Sequence, residues 1–238
     1  MHTFLITGAN SDIGIAVIRQ ILKSGGRVIG IHRSLSEDLS RIKKENQSSV
    51  ELLEVDFLER RRVDWFLNEI SNNRHDIDSL ITLAALRVEI PYGELSRDQL
   101  VQHFEVNVVS PVLITQAVIK GMRKKKWGRI LIGSSIGVKF GGGTSTFPYS
   151  LTKHCSEFVP NSARKWAKDN VLYNVLRIGF TDTSTMRAGD PNSFESREAL
   201  IPMARAANVE EIAHTIYWLA SDQNTYITMQ TISVAGGE

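Results

Sequence analysis

Cysteine is almost absent: Cys155 is the only one in 238 residues. No intramolecular disulfide can form, so the expected setting is reducing and cytoplasmic. Long apolar runs are missing too. Nothing approaches the ~18 uninterrupted apolar residues of a membrane span. The start, Met1-His2-Thr3-Phe4-Leu5-Ile6, lacks a basic stretch leading into a long apolar segment, so no signal peptide is expected. Net charge is scarce, with 28 Lys and Arg against 26 Asp and Glu, a balance of +2. That argues against a dedicated nucleic-acid surface. The basic run Arg123-Lys124-Lys125-Lys126 before Trp127 is read as a solvated helix end that complements the helix dipole. No linker, repeat or low-complexity stretch divides the chain, so residues 1–238 are taken as one domain. No metal site is expected.

What is present is an alternation. Short apolar runs near 4–6, 27–32, 50–55, 80–84, 129–133, 172–178 and 231–234 read as strands. Segments of helical period lie between them, near 13–22, 36–45, 59–71, 96–122, 148–168 and 209–221. Pro111 predicts a kink in the long helix. Seven strands alternating with six helices predict an α/β fold: one Rossmann-type doubly wound parallel sheet with helices on both faces. The segment 181–208, containing Gly189-Asp190-Pro191-Asn192, is too long for an ordinary connection and is read as a mobile lid or substrate loop. Its apolar residues Met186, Phe194, Leu200 and Met203 suggest an apolar wall.

Between the first strand and first helix runs Thr7-Gly8-Ala9-Asn10-Ser11-Asp12-Ile13-Gly14. Small residues let the backbone approach a diphosphate, and the helix start supplies oriented N–H donors. Asp12 stands where such turns usually place a glycine. A carboxylate ~6 Å from a phosphate charge would cost ~3 kcal/mol at an effective dielectric of ~20. Asp12 must therefore turn away or bind a hydroxyl or backbone N–H, and an N-cap role is the expectation. The second strand ends Ile31-His32-Arg33-Ser34. An acid there selects NAD; here His32 occupies that position, and Arg33 with Ser34 suits the extra phosphate of NADP.

Tyr149 and Lys153 stand four apart, on one helical face. A nearby ammonium favours phenolate, which suits a general acid/base for alcohol–carbonyl exchange. Ser134 and Ser135 end the fifth strand, where open α/β sheets present ligands. Asn107 sits in an otherwise apolar stretch, where a lone Asn is usually a satisfied core amide. Cys155 falls away from the Tyr149 and Lys153 face and is read as packing.

Taken together, these residues resemble the short-chain dehydrogenase/reductase family over nearly the whole chain. The turn is similar to that family's TGxxxGxG, with Asp12 replacing the middle glycine. Asp56 after the third strand, with Phe57 beside it, matches the adenine contact. Asn107, Ser135 (or Ser134), Tyr149 and Lys153 match the catalytic tetrad. The segment 174–183 (NVLRIGFTDT) resembles N-x-x-x-P-G-x-x-x-T, keeping Gly179 and Thr183, with Thr181 between them and Ile178 for the proline. Thr82-Leu83-Ala84-Ala85 replaces the usual NNAG, and Ala84 and Ala85 leave room at the cofactor.

The resemblance implies NADPH-dependent reduction of a carbonyl, with 3-oxoacyl thioesters, sugars, steroid-like and small carbonyl compounds all open as substrates. NADP(H) is favoured over NAD(H). Tyr149 would give the proton, Ser135 would hold the substrate oxygen, and Lys153 would hold the nicotinamide ribose. Asn107 would bind a water connecting Lys153 to solvent. The implied assembly is a homotetramer or homodimer, with no membrane or nucleic-acid partner. The rival expectation is a nucleotide-binding scaffold without catalysis on the same fold.

Overall fold

A computed structural model describes residues 1–72, 75–189 and 191–238. Asp190, in the turn singled out above, lies outside the described residues. Seven parallel strands form one sheet: β1 (Thr3–Thr7), β2 (Arg27–His32), β3 (Val50–Glu54), β4 (Ser79–Thr82), β5 (Gly128–Ser135), β6 (Val171–Ile178) and β7 (Thr231–Val234). Their order is β3-β2-β1-β4-β5-β6-β7. The order reverses between β1 and β4, the switch point where doubly wound sheets open a crevice at their carboxyl ends. Register keeps those ends level: Thr7 pairs with Thr82, and Ser135 with Ile178.

Alternation along the strands builds two cores. Phe4, Ile6, Val28, Ile81, Leu131 and Leu176 pack on one face with α1 (Asp12–Lys23) and α10 (Val209–Ala220). Leu5, Ile29, Leu80, Ile130, Ile132 and Val175 pack on the other with α3 (Arg60–Ser71) and α5 (Ser110–Lys125). α2 (Glu37–Glu45) caps the β2–β3 side.

Two helices depart from their expected form. The long one runs as α4 (Arg97–Phe104), a π-turn over Glu105–Val109, and α5. The π-turn lies just before Pro111, which stands in the first turn of α5. Proline has no N–H for the carbonyl four residues back, which is that of Asn107. That carbonyl accepts the Ser156 hydroxyl instead, at 2.7 Å. The helix expected over 148–168 is two: α6 (Phe147–Ser156) and α7 (Ala163–Ala167). Pro160 falls in the break. Glu157 leaves the helix to meet Arg177 on β6, with Nε and Nη2 donating at 2.7 and 2.6 Å.

The 181–208 segment holds two short helices, α8 (Ser184–Arg187) and α9 (Pro191–Ala199). Its base is closed by a bridge between Thr181 and Ala207. Phe180 and Phe194 pack with ring centres 4.8 Å apart, and the Arg187 guanidinium lies over Phe194 at 3.9 Å.

Candidate active site

At the carboxyl ends of the strands lies a cleft of about 1240 Å³, ample for a dinucleotide and a small substrate. The β1–α1 turn forms one end. Gly8 has φ +73°, and a Cβ there would sit 2.6 Å from the Ala84 nitrogen; one on Gly14 would sit 2.3 Å from the Gly8 carbonyl. Both positions therefore admit only glycine, and the turn packs down against the chain after β4. Ser11, not Asp12, is the N-cap of α1, its hydroxyl accepting the Gly14 N–H at 3.0 Å. This corrects the N-cap expectation for Asp12. Its carboxylate instead reaches across the cleft to the Ser184 N–H that opens α8. Asn10 accepts the Ser36 N–H at 2.9 Å, fixing the start of α2 beside the turn. Ser11, Asp12 and Ile13 line the cleft with Asn10.

The residues expected at the adenosine follow β2 and β3, and Arg33, Ser34, Asp56 and Phe57 are not among those lining the cleft. His32 is buried, and burial pushes its pKa down against the nearby Glu54 charge. The neutral ring offers no charge to a phosphate, and its Nδ1 lacks a partner among the described residues. Arg33 and Ser34 are exposed just beyond it. Asp56 accepts the Leu58 N–H at 2.9 Å, and Phe57 is buried behind it.

The other end of the cleft holds Tyr149 and Lys153. α6 places Tyr149 and Lys153 one turn apart, with Nζ 5.9 Å from the phenol ring centre. Lys153 is only 5% exposed, donates to the Gly133 carbonyl at 2.7 Å, and is pushed down to about 8 by burial. The ammonium was expected to draw the Tyr149 pKa down. In the structure burial dominates and pushes it up, while a hydrogen bond with Ser135 and the charge of Arg87 pull the other way.

β5 delivers both serines, and their partners separate them. The Ser134 hydroxyl donates to Glu157 at 2.7 Å and belongs to the Glu157–Arg177 ion pair. The Ser135 hydroxyl accepts the Gly137 N–H at 3.2 Å and is hydrogen-bonded with Tyr149 in the cleft. Gly179, Thr181 and Thr183 line the wall opposite, after β6.

Asn107 is not brought into the cleft. It is 1% exposed, and its amide is spent on neighbours. Oδ1 accepts the Leu86 N–H at 2.7 Å; Nδ2 donates to the Leu86 carbonyl at 3.0 Å and to Thr152 at 2.9 Å. The amide thus clamps the chain after β4, where Ala84 and Ala85 sit, and the Asn107 carbonyl that a water would use takes Ser156. Of the expected apolar wall, Met186, Phe194 and Leu200 line the cleft, whereas Met203 faces a separate small pocket. Arg87, Phe140, Phe180 and Arg197 also line the cleft and were not anticipated. Among the described residues, no cluster of His, Cys, Asp or Glu could hold a metal. No described helix is long and apolar enough to cross a membrane.

Comparison with known proteins agrees with this arrangement. A family model described as Enoyl-(Acyl carrier protein) reductase matches residues 8–238. The chain belongs to the short-chain dehydrogenase/reductase family of oxidoreductases. Among curated relatives, this short-chain oxidoreductase is 29% identical to the 3-oxoacyl-[acyl-carrier-protein] reductase FabG of Aquifex aeolicus, over 98% of the chain and 95% of the relative. It is 27% identical to the acetoacetyl-CoA reductase of an Acinetobacter species, over 98% and 96%. A solved 3-oxoacyl (acyl-carrier-protein) reductase from Agrobacterium tumefaciens, with NADP bound, superposes with a TM-score of 0.88 at 26% identity, covering all of this chain and 94% of its own.

Proposed function

We propose that this short-chain oxidoreductase is an NADPH-dependent carbonyl reductase with Tyr149 as the proton donor. The observation that carries the reading is the Ser135–Tyr149–Lys153 group at the switch-point cleft, facing a turn that admits only glycine at Gly8 and Gly14.

The residues present fit a dinucleotide. The diphosphate would lie on the turn at Gly8, Asn10, Ser11, Asp12, Ile13 and Gly14, over the start of α1. Arg33 and Ser34 would take the extra phosphate, Arg33 through its guanidinium and Ser34 through its hydroxyl. Asp56 and Phe57 would meet the adenine, Tyr149 and Lys153 the nicotinamide ribose, and Gly179, Thr181 and Thr183 the nicotinamide, near Ala84 and Ala85. When bound, the cofactor supplies the hydride for the carbonyl carbon.

The chain's own residues handle the oxygen. Ser135, hydrogen-bonded with Tyr149 before a substrate enters, would turn its hydroxyl to the carbonyl and polarise it. The raised pKa keeps Tyr149 a neutral phenol at neutral pH, so it holds the proton the developing alkoxide needs. As that proton leaves, the Lys153 ammonium stabilises the phenolate. Asn107 acts one step removed, holding the loop after β4 in place.

The relatives' names support a 3-oxoacyl thioester as one candidate substrate. The exposed Val101, Val109 and Val112 along α4 and α5 support a dimer or tetramer built on that face. The single cysteine fits a reducing cytoplasm.

Titration with NADPH and NADH, followed by a carbonyl screen, tests the reading. NADPH is expected to bind at least tenfold tighter, a gap of ~1.4 kcal/mol. Tighter NADH binding overturns the cofactor assignment, and binding of neither overturns the reductase.

A further inference from the structure

Arg87 enters the cleft from the loop after β4, beside the acid/base group. Its backbone is pinned on both sides. Leu86 is held through both its N–H and its carbonyl by Asn107. Val88 donates to His103 Nε2 at a long 3.5 Å, and Ile90 donates to the Ser145 carbonyl at 2.7 Å. The loop is therefore a fixed platform.

The side chain it presents is lightly engaged. Arg87 Nη2 pairs with Glu89 at 3.1 Å, and Glu89 is 62% exposed. An exposed pair of this kind holds little free energy and is readily exchanged. The other cleft arginine is committed: Arg197 is paired with the buried Glu238 carboxylate, and its guanidinium lies over Phe180 at 5.5 Å. Lys153 is spent on Gly133 and the Tyr149 ring. Arg87 is thus the cation at the substrate end with donors to spare. A planar guanidinium is the group that binds a carboxylate through two parallel hydrogen bonds.

We propose that Arg87 anchors a substrate carboxylate, so that the carbonyl compound reduced here is a short oxo acid with its carboxylate a few carbons from the reacting carbonyl. This rests on the reductase reading and narrows its substrate class. It sets the chain apart from a thioester reductase, because the carbonyl of an acyl thioester has no carboxylate beside it.

The test compares kcat/KM for 2-, 3- and 4-oxo acids, for the methyl ester of each, and for acetoacetyl-CoA, in the wild type, Arg87→Gln and Arg87→Lys, with NADPH. The readout is the acid-to-ester ratio, which cancels any effect on folding, cofactor or Tyr149 that both substrates share. The wild type is expected to favour at least one acid over its ester. Arg87→Gln is expected to collapse that ratio roughly 10- to 100-fold, as loss of a charge-assisted hydrogen bond implies. Arg87→Lys, which keeps the charge and loses the fork, falls between. Equal or better turnover of esters or thioester by the wild type overturns the anchor while leaving the reductase standing. An unchanged ratio in Arg87→Gln does the same. Turnover of no carbonyl at all overturns both.

Discussion

The Asp12 carboxylate, in the dinucleotide turn, accepts a hydrogen bond from the Ser184 N–H, 172 residues later, at the start of α8. One bond thus ties the cofactor end of the cleft to the substrate segment. It also explains how a carboxylate is tolerated there: Oδ2 is turned toward a peptide N–H and away from the turn. Replacing it should free the segment without unfolding the sheet. Asp12→Ala is expected to speed amide exchange of Ser184 and its α8 neighbours by roughly tenfold, the scale of one hydrogen bond to a charged acceptor in a partly exposed place. Asp12→Asn, which keeps an acceptor, should change it less. Exchange read by mass spectrometry or NMR checks this, and β1 and α1 should be unaffected.

The two serines ending β5 should respond differently. Ser135 is the one hydrogen-bonded with Tyr149 in the cleft. Ser135→Ala is expected to lower kcat about 100-fold or more, the cost of losing a donor to a developing oxyanion. Ser134→Ala should retain turnover and lose stability, because its hydroxyl satisfies buried Glu157. Glu157→Ala should destabilise more, by roughly 3 kcal/mol, since it strips Arg177 of its partner in a largely buried pair. Denaturant midpoints and kcat measured together separate the pair.

Lys153 gives the fold a pH dependence of known sign. Its pKa is about 8 in the folded chain and 10.5 when free. Between those values the unfolded chain holds more protons than the native one, so stability rises with pH. Above pH 10 the trend reverses, because Tyr149 and Tyr173, the latter pushed up to about 12, stay protonated in the fold. Without cofactor, the wild type is expected to gain about 1 kcal/mol from pH 8 to 10, the Lys153 rise less what the two tyrosines begin to take away. Lys153→Met should lose that rise and be more stable than the wild type at pH 7. Urea unfolding across the range tests the sign.

Arg33 is exposed at the end of β2, next to a neutral His32. Arg33→Ala is expected to weaken NADPH binding about tenfold and leave NADH nearly unchanged. Equal losses for both would place the extra phosphate elsewhere. Isothermal titration with each nucleotide decides it.

All seven strands are legible in the sequence: the interior ones, buried on both faces, read as short apolar runs, and the edge strands β3 and β7, more exposed, still carry apolar residues between polar ones. The Gly8-to-Gly14 turn and the Tyr149–Lys153 spacing are local patterns and stand where expected. What escapes the sequence is what distant residues decide. The break after Ser156 has a local cause in Pro160, which excludes a helical bond to the Ser156 carbonyl, whereas the pairing of Glu157 with Arg177 on β6 leaves no local sign. Asp12 found its partner 172 positions away, so only its misfit was visible. The Tyr149 shift turned on burial, which outweighs neighbouring charges in a cleft. Arg87 had no local signal at all: the fold brings it into the cleft with Tyr149, two residues past Ala85.

The most direct test of the central claim is Tyr149→Phe, assayed for NADPH affinity and for single-turnover oxidation of NADPH with a substrate the wild type reduces. The change removes one oxygen from a packed ring. NADPH binding is expected to stay within a few-fold of the wild type, with turnover reduced at least 100-fold, the contribution of a positioned acid. Turnover near the wild-type rate with NADPH still bound would contradict Tyr149 as the proton donor and the mechanism built on it.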